Sequence, residues 1–150
     1  MLGGIRKADK MRVLGLDYGE KRIGVAVCDE LGMTAQGLAV IERKNKAKDM
    51  AAIAHYLQIY GVEKIVIGYP LRLDGTAGIQ CEKVDRFIKV LVSLFSIPII
   101  RWDETCTTKE AEEILRSANV REKRRKALVD KIAAAMILQG YLDASAQQPA

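Results

Sequence analysis

Three short runs of apolar residues in the first third of the chain predict β-strands. Residues 11–16 are almost continuously apolar and lead into a turn at residues 17–20, as in a central strand. Residues 23–28 alternate between larger and smaller side chains, which predicts a second strand with one partly exposed face. A third strand is predicted at residues 38–41. Joined by short turns, these strands predict an antiparallel meander.

Helical and strand patterns alternate in the middle of the chain. Helical spacing runs through residues 47–60, where Gly61 is suited to end the helix, and recurs at residues 84–95. A buried strand is predicted at residues 65–67 and a further strand at residues 97–102. Right-handed crossovers would add these two strands in parallel to the meander. We therefore expect an α/β fold: a five-stranded mixed sheet with the first strand central and helices on both faces.

The C-terminal third is predicted to be helical. Thr107 and Glu110 have the spacing of a capping box, which starts a helix that extends through Leu115. A basic stretch at residues 121–126 leads into a last helix at residues 127–142. The chain thus ends in helices that can cover the sheet.

The composition is that of one globular domain. The 150 residues are 49% apolar and 29% charged, which excludes the disordered and fibrous classes. We expect a single domain over residues 1–150, with short flexible tails at residues 1–10 and 144–150. Three cysteines without a Cys-x-x-Cys spacing, and no long apolar run, predict a cytoplasmic protein that does not enter a membrane. Monomer and homodimer are both open.

The net charge of +5 and the pI near 9.2 favour a polyanionic partner, because cations that neutralise phosphates release counterions. Charge runs are more often solvated surfaces, which is the alternative interpretation. The candidate nucleic-acid contacts are Lys21, Arg22, Arg121, Lys123, Arg124, Arg125 and Lys126.

Acidic residues end two of the predicted strands. Asp17 follows the first strand, and Asp103 and Glu104 follow the fifth. Ligands of open α/β sheets bind at the carboxyl ends of strands, where the loops leave a crevice. A turn role for Asp17 and a helix-capping role for Asp103 are the structural alternatives. Because successive strand side chains alternate in direction, we expect Glu104 to be the ligand of the pair.

Asp130 is an acidic residue on the apolar face of the last predicted helix. Ala133, Ala134, Ile137 and Tyr141 share that face at helical spacing. An ionised carboxylate in such surroundings requires a cation or hydrogen-bond donors, since burying it unpaired costs several kcal/mol. Asp130 is therefore predicted to have a partner.

Carboxylates gathered at one sheet edge suit a divalent metal. Mg²⁺ and Mn²⁺ take oxygen ligands and keep water molecules for a phosphate substrate. Such ions activate water and stabilise the leaving oxygen of a phosphodiester. The predicted ligands are Asp17, Glu104 and Asp130, with Asp103 as an additional candidate.

Four ordered motifs resemble the YqgF/RuvX family. The resemblance extends over about residues 12–143, and this order is more specific than any single acid. The matching segments are residues 14–19 with 21–26, 68–70 with 74–76, 102–104 with 107–108, and 129–135 with 137–139.

The resemblance implies an RNase H-like fold related to Holliday junction resolvases. It also implies a nuclease that processes the 5′ end of pre-16S ribosomal RNA in bacteria, with Asp17, Glu104 and Asp130 as its catalytic acids. The family commonly has Arg-Leu where this chain has Thr105 and Cys106, which removes a guanidinium able to contact phosphate. The loop at residues 71–78 contains Asp74, Gly75 and Thr76, and its glycines, Gly75 and Gly78, are expected to let it shape the substrate entrance. A turn without substrate contact is the structural alternative.

Three alternative functions remain open from the sequence. The same acids would serve a DNA-junction endonuclease, because nothing in the sequence identifies a contact to the 2′-OH. The turn after Asp17 also occurs in actin-like and sugar-kinase ATPases, although the chain has room for only one domain. A non-catalytic RNA-binding module would account for the basic residues but leaves Asp130 unexplained.

Overall fold

The fold is described by a computed structural model over residues 12–70, 77–103, 113–114, 116 and 122–146. The elements follow the predicted order, and none of the described helices combines the length and apolar character needed to cross a membrane. In chain order they are β1 (Arg12–Tyr18), β2 (Arg22–Cys28), β3 (Ala35–Glu42), α1 (Lys46–Tyr60), β4 (Val62–Tyr69), α2 (Ile79–Leu94), β5 (Ile99–Asp103) and α3 (Glu122–Ala146).

The five strands form one mixed sheet in the order β3-β2-β1-β4-β5. Strand β1 pairs antiparallel with β2, and β2 pairs antiparallel with β3, which is the predicted meander. Strand β1 is parallel to β4, and β4 is parallel to β5. The prediction of a mixed sheet with β1 at its centre is confirmed.

Helices α1 and α2 cover one face of the sheet, here called the α1/α2 face. Leu14 and Leu16 of β1 point to this side and pack with Ile53 of α1 and with Val84 and Leu91 of α2. These side chains are almost completely buried. Each contributes about 1.5–3 kcal/mol relative to exposure, so this layer is the main core.

Helix α3 covers the opposite face, here called the α3 face, and it corrects one prediction. One face of β2 was expected to be partly exposed, but Ala26 and Cys28 are buried beneath Ala134 and Leu138, and Ile23, Val25 and Val27 are buried on the other face. Alternation of larger and smaller side chains is typical of half-exposed strands, but here the small residues allow α3 to pack closely against the sheet. The prediction of helices on both faces is confirmed.

Glycines in β1 and β2 set how closely α3 approaches the sheet. A Cβ atom at Gly15 would lie 2.8 Å from Leu138 Cβ, and one at Gly24 would lie 2.0 Å from the carbonyl oxygen of Asp130. Both distances are shorter than any normal contact, so α3 can occupy its position only over glycine.

Several element boundaries differ from the predicted ones. Strand β3 begins at Ala35, and β4 extends from Val62 to Tyr69. Helix α3 spans Glu122–Ala146, so residues 122–126 of the basic stretch and residues 143–146 belong to the helix. Lysine and arginine are good helix formers, which explains the early start.

The predicted end of α1 at Gly61 is confirmed. Gly61 ends α1 in the left-handed region at φ 59°, and Asn45 begins it by accepting a hydrogen bond from the backbone N–H of Lys48. Of the helix predicted from Thr107 to Leu115, Glu113 and Ile114 are described and helical, and the rest lies outside the described residues.

We predict that Gly15→Ala lowers the free energy of unfolding by about 2–3 kcal/mol, because the new Cβ overlaps α3. Gly37→Ala is the matched control: its Cβ would lie 3.1 Å from Lys131 Cβ, a contact that small shifts can relieve. Urea denaturation of both variants measures the difference. Equal losses would contradict the close approach of α3 at Gly15.

Candidate active site

Asp17 and Asp130 meet at the carboxyl end of β1. Asp17 lies on the α3 face, because its neighbours Leu16 and Tyr18 pack on the α1/α2 face. Asp17 is paired with Gly24 across the β1–β2 register. The backbone of Asp130 lies over Gly24, in the space that a side chain would fill. Two acids far apart in the sequence are thereby brought together by the packing of α3.

The environment of Asp17 disfavours its charged form. Burial and, as the smaller effect, the negative charge of Asp130 together raise the pKa of Asp17 from 3.8 to about 7. Both effects have the same physical origin, since a carboxylate with little water around it gains little from solvation and is repelled by its neighbour. The pair therefore attracts a proton or another cation near neutral pH.

Arg22 is the partner that Asp130 was predicted to need. Its Nε donates a hydrogen bond of 2.7 Å to Oδ2 of Asp130, and both side chains are partly buried. The same hydrogen bond and the charge of Asp130 raise the pKa of Arg22. Arg22 was predicted to contact nucleic acid, and in this structure it contacts Asp130. Lys21, its neighbour in the turn, is exposed.

The register of β5 separates the two acids that follow the fifth strand. Trp102 lies on the α3 face, where its indole borders Gly140 and meets the Tyr141 ring edge-on at 5.9 Å. Arg101 faces the other side, where it forms an ion pair of 2.9 Å with Asp85. Alternation therefore places Asp103 on the α1/α2 face, away from Asp17. Glu104 lies outside the described residues.

The remaining predicted site residues are described only in part. Arg124 is exposed and Arg125 is partly buried in the first turns of α3, on the N-terminal side of Asp130. Asp74, Gly75, Thr76 and Arg121 lie outside the described residues, and the side chains of Lys123 and Lys126 are likewise not described.

The described residues bring two acids, Asp17 and Asp130, together at this edge of the sheet. Within residues 12–70, 77–103 and 122–146, no group of three or more His, Cys, Asp or Glu side chains is placed to hold a metal ion. Asp17 and Asp130 together offer carboxylate oxygens from two residues only.

Sequence reasoning missed the roles of Arg22 and Gly24. Arg22 was grouped with the phosphate-binding cations, and Gly24 was noted only as one of the smaller residues of the second strand. The available signal was the spacing of Arg22, Gly24 and Ala26, which places one cation and two small residues on the same strand face. A basic run at residues 43–48 also received no role.

We predict that Asp17→Asn stabilises the protein in a pH-dependent way. The pKa of Asp17 is about 7 in the folded protein and 3.8 in the unfolded chain. The folded state therefore loses stability as the pH rises through this range. The gain in unfolding free energy should be near zero at pH 4 and about 4 kcal/mol at pH 8, since each unit of pKa shift corresponds to about 1.36 kcal/mol. Denaturation in EDTA measures it, with Asp143→Asn as a control on an exposed acid. A gain that does not change with pH would contradict the raised pKa.

Comparison of the sequence with known proteins identifies a family and close relatives. Residues 11–144 match the family model RuvX: Holliday junction resolvase. A protein of Syntrophus aciditrophicus (strain SB) is 62% identical over 138 residues, covering 92% of each chain, and is named "Putative pre-16S rRNA nuclease". A protein of Halothermothrix orenii with the same name is 48% identical and covers 89% of this chain and 95% of its own.

Two solved resolvase structures share this fold. RuvC of T. thermophilus, in complex with a Holliday junction substrate, aligns with a TM-score of 0.54 at 21% identity, covering 91% of this chain and 96% of its own. The fowlpox virus resolvase, in complex with junction DNA, aligns with a TM-score of 0.57 at 15% identity, covering 92% and 100%. At these identities the likeness shows the fold, whereas the family model and the close relatives show that the chain belongs to the RuvX family.

Proposed function

We propose that the protein is a cytoplasmic, metal-dependent nuclease that hydrolyses phosphodiester bonds in pre-16S rRNA. The observation that carries the proposal is the juxtaposition of Asp17 and Asp130 over Gly24, at the sheet edge where open α/β folds bind ligands. Membership of the RuvX family supports nuclease chemistry at this position.

The donor chemistry of this pair fits Mg²⁺ or Mn²⁺. Both side chains offer carboxylate oxygens, and their mutual repulsion would be relieved by a bound cation. The third ligand we propose is Glu104, because the register of β5 places Asp103 on the other face of the sheet. When bound, a divalent ion supplies Lewis acidity that polarises the phosphodiester and makes water nucleophilic at neutral pH.

The protein's own residues prepare the site for this chemistry. Arg22 holds Oδ2 of Asp130 and thereby fixes the direction of that carboxylate. Asp17 must lose its proton to act as a ligand, which its pKa of about 7 allows at the upper end of the physiological range. Lys21 in the exposed turn and Arg124 at the start of α3 attract the phosphate backbone to this end of the sheet.

The close relatives favour RNA as the substrate. The relative that is 62% identical carries a pre-16S rRNA nuclease name, and it matches this chain over 92% of its length. Branched DNA is the second candidate, because the family description is that of a Holliday junction resolvase. Matched pre-rRNA, single-stranded RNA and four-way DNA junctions would separate the two.

We predict that Asp17→Asn and Asp130→Asn each lower metal-dependent cleavage at least about 100-fold, because each removes a charged oxygen ligand. Cleavage of the three substrates is measured with Mg²⁺ or Mn²⁺. The control is Asp143→Asn, which changes an exposed acid on the same helix as Asp130 and should retain wild-type activity. Wild-type cleavage by either site variant would refute this assignment.

We predict that Mn²⁺ raises the melting temperature of the wild-type protein by several degrees at pH 8. A ligand present at 100 times its Kd stabilises the folded state by about 2.7 kcal/mol. The shift should fall at pH 5, where protonated Asp17 opposes binding, and should be lost in Asp17→Asn and in Asp130→Asn. Thermal unfolding against an EDTA baseline measures it. A shift that persists in both variants would place the metal elsewhere.

A further inference from the structure

A basic cleft of about 390 Å³ lies on the α1/α2 face of the sheet, between the β1–β2 turn, the start of α1 and the middle of α2. Tyr18 and Glu20 border it, so it opens at the same end of β1 as Asp17 but on the opposite side of the sheet. Its cationic lining residues are Arg43, Lys44, Lys46, Lys83 and Arg86.

The positive charge of the basic cleft exceeds what its own acids neutralise. Glu20 is paired with Lys83, and Asp49 accepts hydrogen bonds from Arg43 Nε (3.4 Å) and from the backbone N–H of Lys44 (3.0 Å). Within the described parts of the chain, the side chains of Lys44, Lys46 and Arg86 form no ion pair. These three cations are available to a ligand.

The basic cleft has a fixed floor. Arg43 Nη1 donates to Tyr18 Oη at 2.7 Å and to the carbonyl oxygen of Gly19 at 3.1 Å. Its guanidinium also lies 4.7 Å from the centre of the Tyr18 ring, and that ring packs against Phe87 with a centroid distance of 4.7 Å. Arg43 thus links the turn after Asp17 to Asp49 of α1, and Tyr18 links it to Phe87 of α2. These contacts hold the parts of the chain that carry the cleft cations in place.

We propose that the basic cleft binds the phosphate backbone of the nucleic-acid strand that enters or leaves the active site. The proposal rests on the proposed nuclease function. Tyr18, which borders the cleft, follows Asp17 directly, and consecutive Cα atoms are 3.80 Å apart. A nucleic-acid strand held at Asp17 therefore needs only to cross the exposed turn at Lys21 to reach the cleft. Lysine and arginine side chains bind phosphates, and such contacts position a nucleic-acid strand without selecting its sequence.

The test compares two pairs of cations on the same two helices. Lys46→Gln with Arg86→Gln removes one cleft cation from α1 and one from α2, whereas Lys48→Gln with Lys89→Gln removes exposed cations from the same helices outside the cleft. Binding of a labelled single-stranded RNA, and of a DNA strand of matched sequence, is measured by anisotropy in EDTA at several salt concentrations.

We expect the cleft variant to bind about 10-fold more weakly than wild type at moderate salt. Its slope of log affinity against log salt should fall by about 1.4, which is 0.7 for each lost phosphate contact to a single strand. Both polymers should show the same change, because the backbone phosphates are common to them. The control pair should retain the wild-type slope.

Three results would overturn the proposal: an unchanged slope in the cleft variant, an equal loss in the control pair, or a change confined to one polymer. The binding assay is independent of cleavage. A wild-type protein that binds but never cleaves with Mg²⁺ or Mn²⁺ would refute the nuclease function and leave the cleft supported. Cleavage by wild type together with unaltered binding by the cleft variant would refute the cleft alone.

Discussion

The close contact between α3 and the glycines of β1 and β2 is the constraint on which the candidate site depends. The carbonyl oxygen of Asp130 occupies the space where Gly24 has no side chain, and Ala134 and Leu138 lie over Gly15. The position of Asp130 is therefore set by the packing of a long helix against a central strand pair. Packed interiors deform little, so a carboxylate held in this way keeps its distance from Asp17 better than one carried by a loop.

The same contact concentrates negative charge where little water is present. Placing Asp130 beside Asp17 disfavours ionisation of Asp17, which costs folding stability at neutral pH. Arg22 offsets part of this cost by pairing with Asp130 from the neighbouring strand. Proteins commonly keep such destabilising groups where activity requires them, because selection acts on function above a stability threshold. The site is thus a balance between the repulsion of two acids and one compensating guanidinium.

Much of the architecture followed from sequence patterns, whereas the partners within the site did not. The order of elements and the turn after Asp17 predicted a central β1, and the apolar neighbours of Asp130 predicted a compensating group. That this group is Arg22 depends on the register of β2 beneath α3, which no local pattern encodes. The face of the sheet on which Asp103 lies was likewise not encoded locally. It follows from the contacts of Trp102 with α3 and of Arg101 with Asp85. The exposure of β2 was mispredicted because the same alternation of larger and smaller side chains occurs in strands covered by a closely packed helix and in strands with one face in water.

The distribution of charge over the two faces of the sheet has a physical rationale. A cation placed next to Asp17 or Asp130 pairs with it, as Arg22 does, and is then less available to a phosphate. On the opposite face, the basic cleft is separated from the two acids by the buried sheet, and its own acids are already paired with Lys83 and Arg43. Because exposed charges are screened over about 8 Å at physiological salt, cations beyond the β1–β2 turn can attract a strand without neutralising the carboxylates. In the function proposed here, the sheet edge would present oxygen ligands for a divalent cation on one side and cations for phosphate on the other, so that a nucleic-acid strand passing over that edge would meet both.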